Sequence, residues 1–493
     1  MQKKTVGIIG AGISGLATAK AFRSQGHAVT VVEKLDSLGG VWSPARRYPG
    51  LCIQISRRCY SLSDFPMPES YPEFPSSEQM HDYLEAYVNR FEIRGCIRFA
   101  TEVREVVRRP DGQDGWRLNA CNTATGESAS LDFDFVVVCN GLFSNPSVPP
   151  VSGRDEFEAA GGVVLHSSQL RDAATLKDRT AVVVGFGKSA IDMAEVARAN
   201  ARSVTMLCRH VHWKFPRRLF GRVNIMRVIL SRFTEVWFPN PDGTRANRFL
   251  HRWLRPLVDA YWWLSERAIG GQLGLRGERL RPDIALRQAS VCIGLAPADG
   301  FKALRDGAIG LVRGSIARLR ATGIELASGE TVPADAVIFA TGYTQDCGFL
   351  GQPEKSALFD PSGAVLLYRS LVNPDIPFMG FNGYNGVGAC QITAEVGACW
   401  LVRFMEGRIP VPDRAAMLAI IRAELALRAR LVTSRLAGGT YVSPFTFGYL
   451  DCLLRDLGLP PADRHKPLFK RLFDPLDPGD YRDLLNKAGS VSH

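Results

Sequence analysis

Residues 6–33 limit what this chain can fold into more than any other stretch. An apolar run (Val6, Ile8, Ile9) leads into a glycine-rich turn (Gly10, Gly12, Gly15), then a helical pattern over 16–25, then a second apolar run (Val29, Val31, Val32) that ends on Glu33. Strand, turn, helix and strand in that order make a complete βαβ unit, with the dinucleotide fingerprint in its proper context. Gly10 lets the chain turn sharply off the strand, Gly12 lets backbone amides approach a pyrophosphate, and Gly15 lets the helix pack close to the sheet. A diphosphate then rests on the helix N-terminus, where free N–H groups and the dipole favour negative charge. Glu33 stands where a carboxylate can hold a ribose diol.

A second unit of this kind begins at Ala181. Residues 181–184 read as a strand, Gly185-Phe186-Gly187-Lys188-Ser189-Ala190 as a GxGxxA turn, and 191–199 as a helix, which makes Gly185, Gly187 and Ser189 candidates for a second phosphate site. The next strand, 203–208, ends on Arg209 rather than an acid. An arginine there pairs with a 2′-phosphate that a carboxylate would repel, so the second nucleotide is expected to be NADPH rather than NADH.

Between and after these units the chain reads as alternating elements. A long polar, aromatic and proline-rich segment reaches Ser76, and a segment of that length between periodic elements usually covers a site. A helix is expected over 79–91, strands over 97–107, 116–120 and 135–138, and further strands over 309–312, 316–320, 323–326, 337–340 and 377–381. Residues 391–405 read as a helix, and the chain beyond about Pro410 as helical, then proline-rich and charged. The run 136–141 resembles 337–342, which suggests two crossings between nucleotide-binding domains. The fold class is therefore α/β: two Rossmann-like dinucleotide-binding domains, the second inserted in the first. The expected division is 1–165, 166–335, 336–455 and a tail, 456–493.

Residues 215–295 form a helical insertion rich in tryptophan and arginine. Arg245, Arg248, Arg252, Arg255 and Asp259 share one helical face, opposite Leu250, Leu254, Leu257 and Tyr261, and Pro256 must begin or kink that helix. The expectation is an amphipathic helix packed on its own domain, with a peripheral membrane contact left open.

Of the 493 residues 46% are hydrophobic and 22% charged, which suits large cores that need no disulfides, and the formal charge is +11. No basic run interleaves with stacking aromatics as a single-strand binder would show, so nucleic acid is not an expected partner. Eleven scattered cysteines without a CxxC pair argue for reduced thiols and against a metal site. The first strand begins almost at Met1, leaving no room for a signal peptide, so the expected location is cytoplasmic. No stretch reads as a membrane span.

The order and spacing of several pieces resemble the flavin-containing monooxygenases over roughly residues 4–410. They are the first glycine motif, Gly39-Gly40-Val41-Trp42, Ser63-Asp64-Phe65-Pro66, residues 162–166, the second glycine motif with Ser189 and Asp192, Arg209, and Phe339-Ala340-Thr341-Gly342-Tyr343. The resemblance implies FAD on Gly10, Gly12, Gly15, Glu33, Gly40, Trp42, Val103 and Gln391, and NADPH on Gly185, Gly187, Ser189 and Arg209. It implies a reaction in which NADPH reduces FAD and O2 becomes a C4a-hydroperoxyflavin that oxygenates a soft nitrogen or sulfur centre of a small organic molecule. Gln54 takes the place of an asparagine that faces the flavin in many members, and is the candidate catalytic residue.

The departures matter too. The family's fingerprint around Gly162 and His166 calls for Phe two residues before the glycine and an aromatic four after the histidine; here the nearest Phe is Phe157, and Leu170 stands where Baeyer-Villiger enzymes place Trp. Arg47-Tyr48-Pro49-Gly50, in contrast, resembles those enzymes, so ketone oxidation is the alternative, with Arg46 or Arg47 as the candidate cation beside the flavin. Two further rivals are a disulfide-reductase type using Cys52 and Cys59, whose spacing is wide, and a non-catalytic flavoprotein that binds a partner, for which the second nucleotide site has no use. The oligomeric state stays open, a homo-oligomer included.

Overall fold

Two parallel five-stranded sheets organise the chain. In spatial order the first is Met379–Phe381, Phe135–Val138, Thr5–Ile9, Ala28–Val32 and Ile97–Arg98, and the second is Gly310–Arg313, Ser203–Cys208, Thr180–Val184, Ala336–Phe339 and Val163–His166. In this computed structural model residues 2–490 are described, apart from 111, 241–244, 276, 278, 290–293, 297, 346, 387, 432–439 and 441–444. Phe135–Val138 and Ala336–Phe339 bury all four side chains, as inner strands of a parallel sheet covered on both faces must. Their apolar runs follow from that position.

Strands of the second sheet lie in sequence between Phe135–Val138 and Met379–Phe381 of the first, so the second unit is inserted in the first. The two crossing segments hold each other. Asn145–Pro146 pairs antiparallel with Tyr343–Thr344, the Ser147 amide donates to the Gly342 carbonyl at 2.9 Å, and the Thr341 hydroxyl donates to the Ser147 carbonyl.

The expected strand over 97–107 is two elements. Ile97–Arg98 edges the first sheet, whereas Thr101–Arg108 leaves it for an antiparallel sheet with Trp116–Asn122 and Ser128–Phe133. Ala100, at a φ of 47°, turns the chain between them. Ser128–Phe133 is a strand that the sequence pattern does not announce, because its first three residues face solvent and only Phe133 is buried.

The insertion is helical, and the arginine-bearing helix is two: Arg245–Trp253 and Arg255–Leu273, broken at Leu254. Pro256 sits in the first turn of the second, where its missing N–H costs no hydrogen bond. Of the apolar face expected to pack, Leu250 and Tyr261 do so in part, but the main contact is made elsewhere. Val258, Trp262, Ile269 and Leu273 are buried, while Leu254 and Leu257 are exposed. Trp262, Trp263 and Leu264 point to successive sides of the helix, so periodicity alone does not single out the buried stripe.

The C-terminal segment clamps the insertion. Arg232 pairs with Asp451 at 2.6 Å and Asp463 at 2.5 Å, and Glu235 accepts from the Phe447 amide at 2.6 Å and the Gly448 amide at 3.2 Å. Burial pushes the Glu235 carboxyl up to about 8. Among the described residues no helix is long and apolar enough to cross a membrane.

Candidate active site

The first glycine turn is set by close approaches. Gly10 has a φ of 105°, and a Cβ there would lie 2.7 Å from the Cys139 carbonyl oxygen; a Cβ on Gly15 would collide with the Gly10 carbonyl oxygen. The helix Ile13–Ser24 starts at Gly12 with no side-chain cap and no acid in its first turn. Its leading amides are therefore available to an anion. Gly12 faces space rather than packing: among the described residues a Cβ there would meet only the Gly40 Cα, at 3.7 Å. The Gly39-Gly40 turn stands opposite, tied to the first by the Gly39 amide donating to the Ala11 carbonyl at 2.9 Å. Together they form a cradle walled on two sides by backbone, which a side chain at Gly12 would fill.

Glu33 is only 5% exposed, and its carboxylate already works on the protein. One oxygen accepts from the Ala11 amide at 2.7 Å and the other from the Leu35 amide at 2.9 Å, which braces the turn and leaves lone pairs for a hydroxyl. Trp42 is buried edge-on to Tyr60 at 6.1 Å. Val103 is half-buried, two residues past Thr101, whose amide donates to the Glu33 carbonyl. Gln391 is buried in the first turn of the helix Cys390–Met405. That helix is fixed by Glu395, which accepts from the Ser63 amide at 2.7 Å and the Ser63 hydroxyl at 3.0 Å.

The second turn repeats the design with less behind it. Gly185 has a φ of 130°, and a Cβ there would lie 2.6 Å from the Ala340 carbonyl oxygen. The helix Lys188–Asn200 starts at Gly187, again with no side-chain cap and no early acid, and a Cβ on Gly187 meets no described residue within 4 Å. Arg209 is exposed just past the strand Ser203–Cys208 and pairs with no acid among the described residues.

A strap from the first domain reaches this turn. Tyr48 is buried and donates to Asp192 at 2.8 Å and to the Ser189 hydroxyl at 3.3 Å. Burial, with Asp192 adding to it, holds the Tyr48 phenol well above its ordinary range. Lys188 pairs with the same Asp192 and donates to the Cys52 carbonyl at 3.4 Å. Arg171 donates to the Arg47 carbonyl at 2.6 Å and to that of Ala45. The sequence singles out Ser189 and Asp192 but gives no hint that Tyr48 meets them, 144 positions away from Asp192.

Gln54 lies where strap, second turn and insertion meet. Its carbonyl accepts from the Leu295 amide at 3.2 Å, and a Cβ on Gly294 would lie 2.9 Å from that oxygen and 3.3 Å from the Lys188 Cβ. The strand Gly294–Ala296 runs parallel to Lys214–Pro216. The next residue, Arg217, donates to the Cys52 sulfur at 3.6 Å and lies 4.4 Å over the Phe74 ring. Just before the Gln391 helix, a Cβ on Gly388 would sit 3.6 Å from Ile55 and 3.8 Å from Leu230 of the insertion. The insertion thus touches both Gln54, which stays exposed, and the approach to that helix.

Other sequence candidates are placed elsewhere. Arg46 donates to the Phe143 carbonyl, lies 5.9 Å over the Tyr343 ring, and has its pKa lowered by burial. Arg47 pairs with Glu78 at 3.4 Å. Gly162 packs on the Phe157 ring, so Phe157 supplies the aromatic that position 160 lacks. His166 is buried and kept below its ordinary pKa by burial; its Nδ1 accepts from the Ser168 amide at 3.1 Å and its Nε2 donates to the Gly342 carbonyl at 3.0 Å. It ties the fingerprint to the crossing. Leu170 is core. Cys52 and Cys59 are both free, and burial pushes the Cys59 thiol up to about 11, unlike a redox pair.

Residues 3–250 match the family described as flavin-binding monooxygenase-like. A probable flavin-containing monooxygenase 1 of Arabidopsis thaliana is 30% identical, over 98% of this chain and 97% of its own. This chain belongs to the flavin-containing monooxygenase family. Its cofactors are FAD and NADPH, and the two uncapped, acid-free helix starts beside glycine turns fit their diphosphates. Solved structures of this fold include the S-allyl-L-cysteine S-oxygenase of Allium sativum (TM-score 0.63, 19% identity, 100% and 99% of the two chains). A cyclohexanone-bound cyclohexanone monooxygenase is also similar (TM-score 0.68, 17% identity, 92% and 97%). Both share the fold of this chain.

Proposed function

We propose that this flavoprotein oxygenates a nitrogen or sulfur centre of a small organic molecule, with Gln54 as the residue facing the reacting atoms. FAD is held by Gly10, Gly12, Gly15, Glu33, Gly40, Trp42, Val103 and Gln391, and NADPH by Gly185, Gly187, Ser189 and Arg209. When bound, the flavin takes hydride from NADPH and delivers one atom of O2 to the substrate. The chain's own residues do the positioning. The strap carries Gln54 to the second turn, where the Leu295 amide of the insertion orients its exposed side chain. We also place the strands Val163–His166 and Ala336–Phe339 in the NADPH domain, moving the inner edges of the expected division outward.

The observation that carries the choice of reaction is the neutral amide of Gln54, oriented by the Leu295 amide, with both strap arginines engaged elsewhere. Oxygen transfer to a soft nucleophile needs a proton kept on the departing oxygen, which a neutral amide permits; attack on a ketone is helped by a cation. One observation favours the second reading. Arg217 reaches Cys52, two residues from Gln54, and pairs with no carboxylate among the described residues. The test offers the holoenzyme a thioether or tertiary amine and a cyclic ketone of similar bulk, with products identified by mass spectrometry and NMR. Sulfoxide or N-oxide is expected. Lactone alone would replace this reading with ketone oxidation, and Arg217→Ala should then abolish it.

A further inference from the structure

Two adjacent arginines follow the strand Lys214–Pro216, and they meet different partners. Arg218 is exposed and bonded at 2.9 Å to Glu73, a carboxylate that also accepts from Asn224 at 2.5 Å. Arg217 is half-buried, lies 4.4 Å over the Phe74 ring and donates to the Cys52 sulfur at 3.6 Å. It pairs with no carboxylate among the described residues, and Asp192, the acid that reaches the strap, is engaged by Lys188 and Tyr48. A thiol sulfur is a weak acceptor, so half-burying a guanidinium against it costs stability that leucine or methionine on the same ring would not. The charge therefore points to a ligand.

Burial alternates along the strap at this point: Ile53 and Ile55 are buried, whereas Cys52 and Gln54 are open. The sulfur that Arg217 touches and the Gln54 amide thus belong to the open side, about 7 Å apart along the chain. Resting on the reading that Gln54 faces the reacting atoms, we propose that Arg217 takes a carboxylate of the substrate. The molecule oxygenated is then a thioether or amine that carries a carboxylate a few bonds from its reacting atom. The Phe74 ring holds the plane of the guanidinium, whose N–H fork matches the two carboxylate oxygens. A phosphate is better served by several cations or a helix start, as at the second glycine turn and Arg209. The Arg217 cation orients the substrate and takes no part in oxygen transfer.

Isothermal titration of the oxidised holoenzyme, saturated with NADP+, tests this by comparing 3-(methylthio)propanoate with its neutral amide, which has the same length and bulk. The acid is expected to bind about tenfold to a hundredfold more tightly, the worth of a charge-assisted contact. Arg217→Ala should erase that preference by weakening the acid. Arg217→Lys, which keeps the charge and loses the fork, should restore part of it. Flavin content and melting temperature certify that both variants fold. In turnover the loss should fall on KM for the acid rather than on kcat. Binding of neither probe, equal binding of both, or a preference that survives Arg217→Ala overturns the proposal. A weaker hold on NADP+ in Arg217→Ala would assign the arginine to a cofactor phosphate, and a fall in kcat for acid and amide alike would place it at the reacting oxygen; either overturns it as well. Products test the underlying reading separately. If cyclic ketones alone are oxidised, that reading fails, and the same titration with 4-oxocyclohexanecarboxylate and its amide decides whether Arg217 takes a carboxylate.

Discussion

The two glycine turns share one local design, a strand, an uncapped helix start and a charged or acidic residue at the next strand's end, and they differ in what stands opposite. Across from Gly12 lies a second glycine turn, and the strand-end Glu33 is buried and bonded into the turn itself. Across from Gly187 no described residue lies within 4 Å of a Cβ, and the strand-end Arg209 is exposed. One turn is enclosed and pre-braced; the other is open on the side where a ligand must arrive and leave. Under the proposed assignment of FAD to the first turn and NADPH to the second, that divides a cofactor that remains through many turnovers from one that is consumed at each. The same backbone motif serves both because the motif supplies only the anion site, and residence is set by the surroundings.

The largest expected effects test the enclosed turn. Gly15→Val drives a side chain into the Gly10 carbonyl, a backbone atom that cannot swing away, and should cost about 3 kcal/mol or more of stability, read from thermal unfolding. Gly12→Val should do something different. Its Cβ meets only ordinary contact distance, so the chain should fold, yet the side chain fills the cradle and the protein should be colourless, melting like flavin-free wild type. A yellow, fully loaded Gly12→Val protein would show that FAD does not use this cradle and would end the comparison.

Next comes the open turn. Arg209→Ala removes an exposed cation that pairs with no acid among the described residues, so flavin content and stability should hold while catalytic efficiency with NADPH falls about tenfold to a hundredfold, the worth of a charge-assisted contact of about 1.5 to 3 kcal/mol. Efficiency with NADH should change much less. Equal losses with both nucleotides would mean that Arg209 does not read the 2′-phosphate.

What could be foreseen divides along the same line. Gly10, Gly15 and Gly185 were legible because their role is local: each answers a steric need of its own turn, Gly12 and Gly187 follow from the same motif, and the flanking apolar runs mark the buried strands. The insertion of one unit in the other was legible from two similar buried strands, Phe135–Val138 and Ala336–Phe339, each followed by a glycine. The surroundings were not. Leu295 on Gln54, Tyr48 on Asp192 and Arg217 on Cys52 join segments more than a hundred residues apart, and no periodicity in either segment encodes its partner. The insertion helices were misread for a related reason: apolar side chains on several sides leave the choice of buried stripe to tertiary packing, which took Val258 and Trp262 rather than Leu254 and Leu257.

The smallest effect concerns the bridge between the two turns, and it decides whether they are independent. Tyr48 belongs to the strap of the first domain yet spends its hydroxyl on Asp192 and Ser189 of the second. Tyr48→Phe removes that hydroxyl and keeps the ring. Asp192 retains Lys188, so no buried charge is left alone, and the loss should lie at the low end for a hydrogen bond to a charged group, about 1.5 kcal/mol at most. If the strap sets where the second helix start lies relative to Gln54, this cost should appear as a severalfold rise in KM for NADPH with kcat nearly unchanged and flavin absorbance intact. Phenylalanine packs the same volume, so a purely structural role for Tyr48 would instead lower the melting temperature and leave KM alone. A fall in flavin content would point the other way, to a strap that serves the enclosed turn. Either result would separate the two sites, and only the KM change joins them.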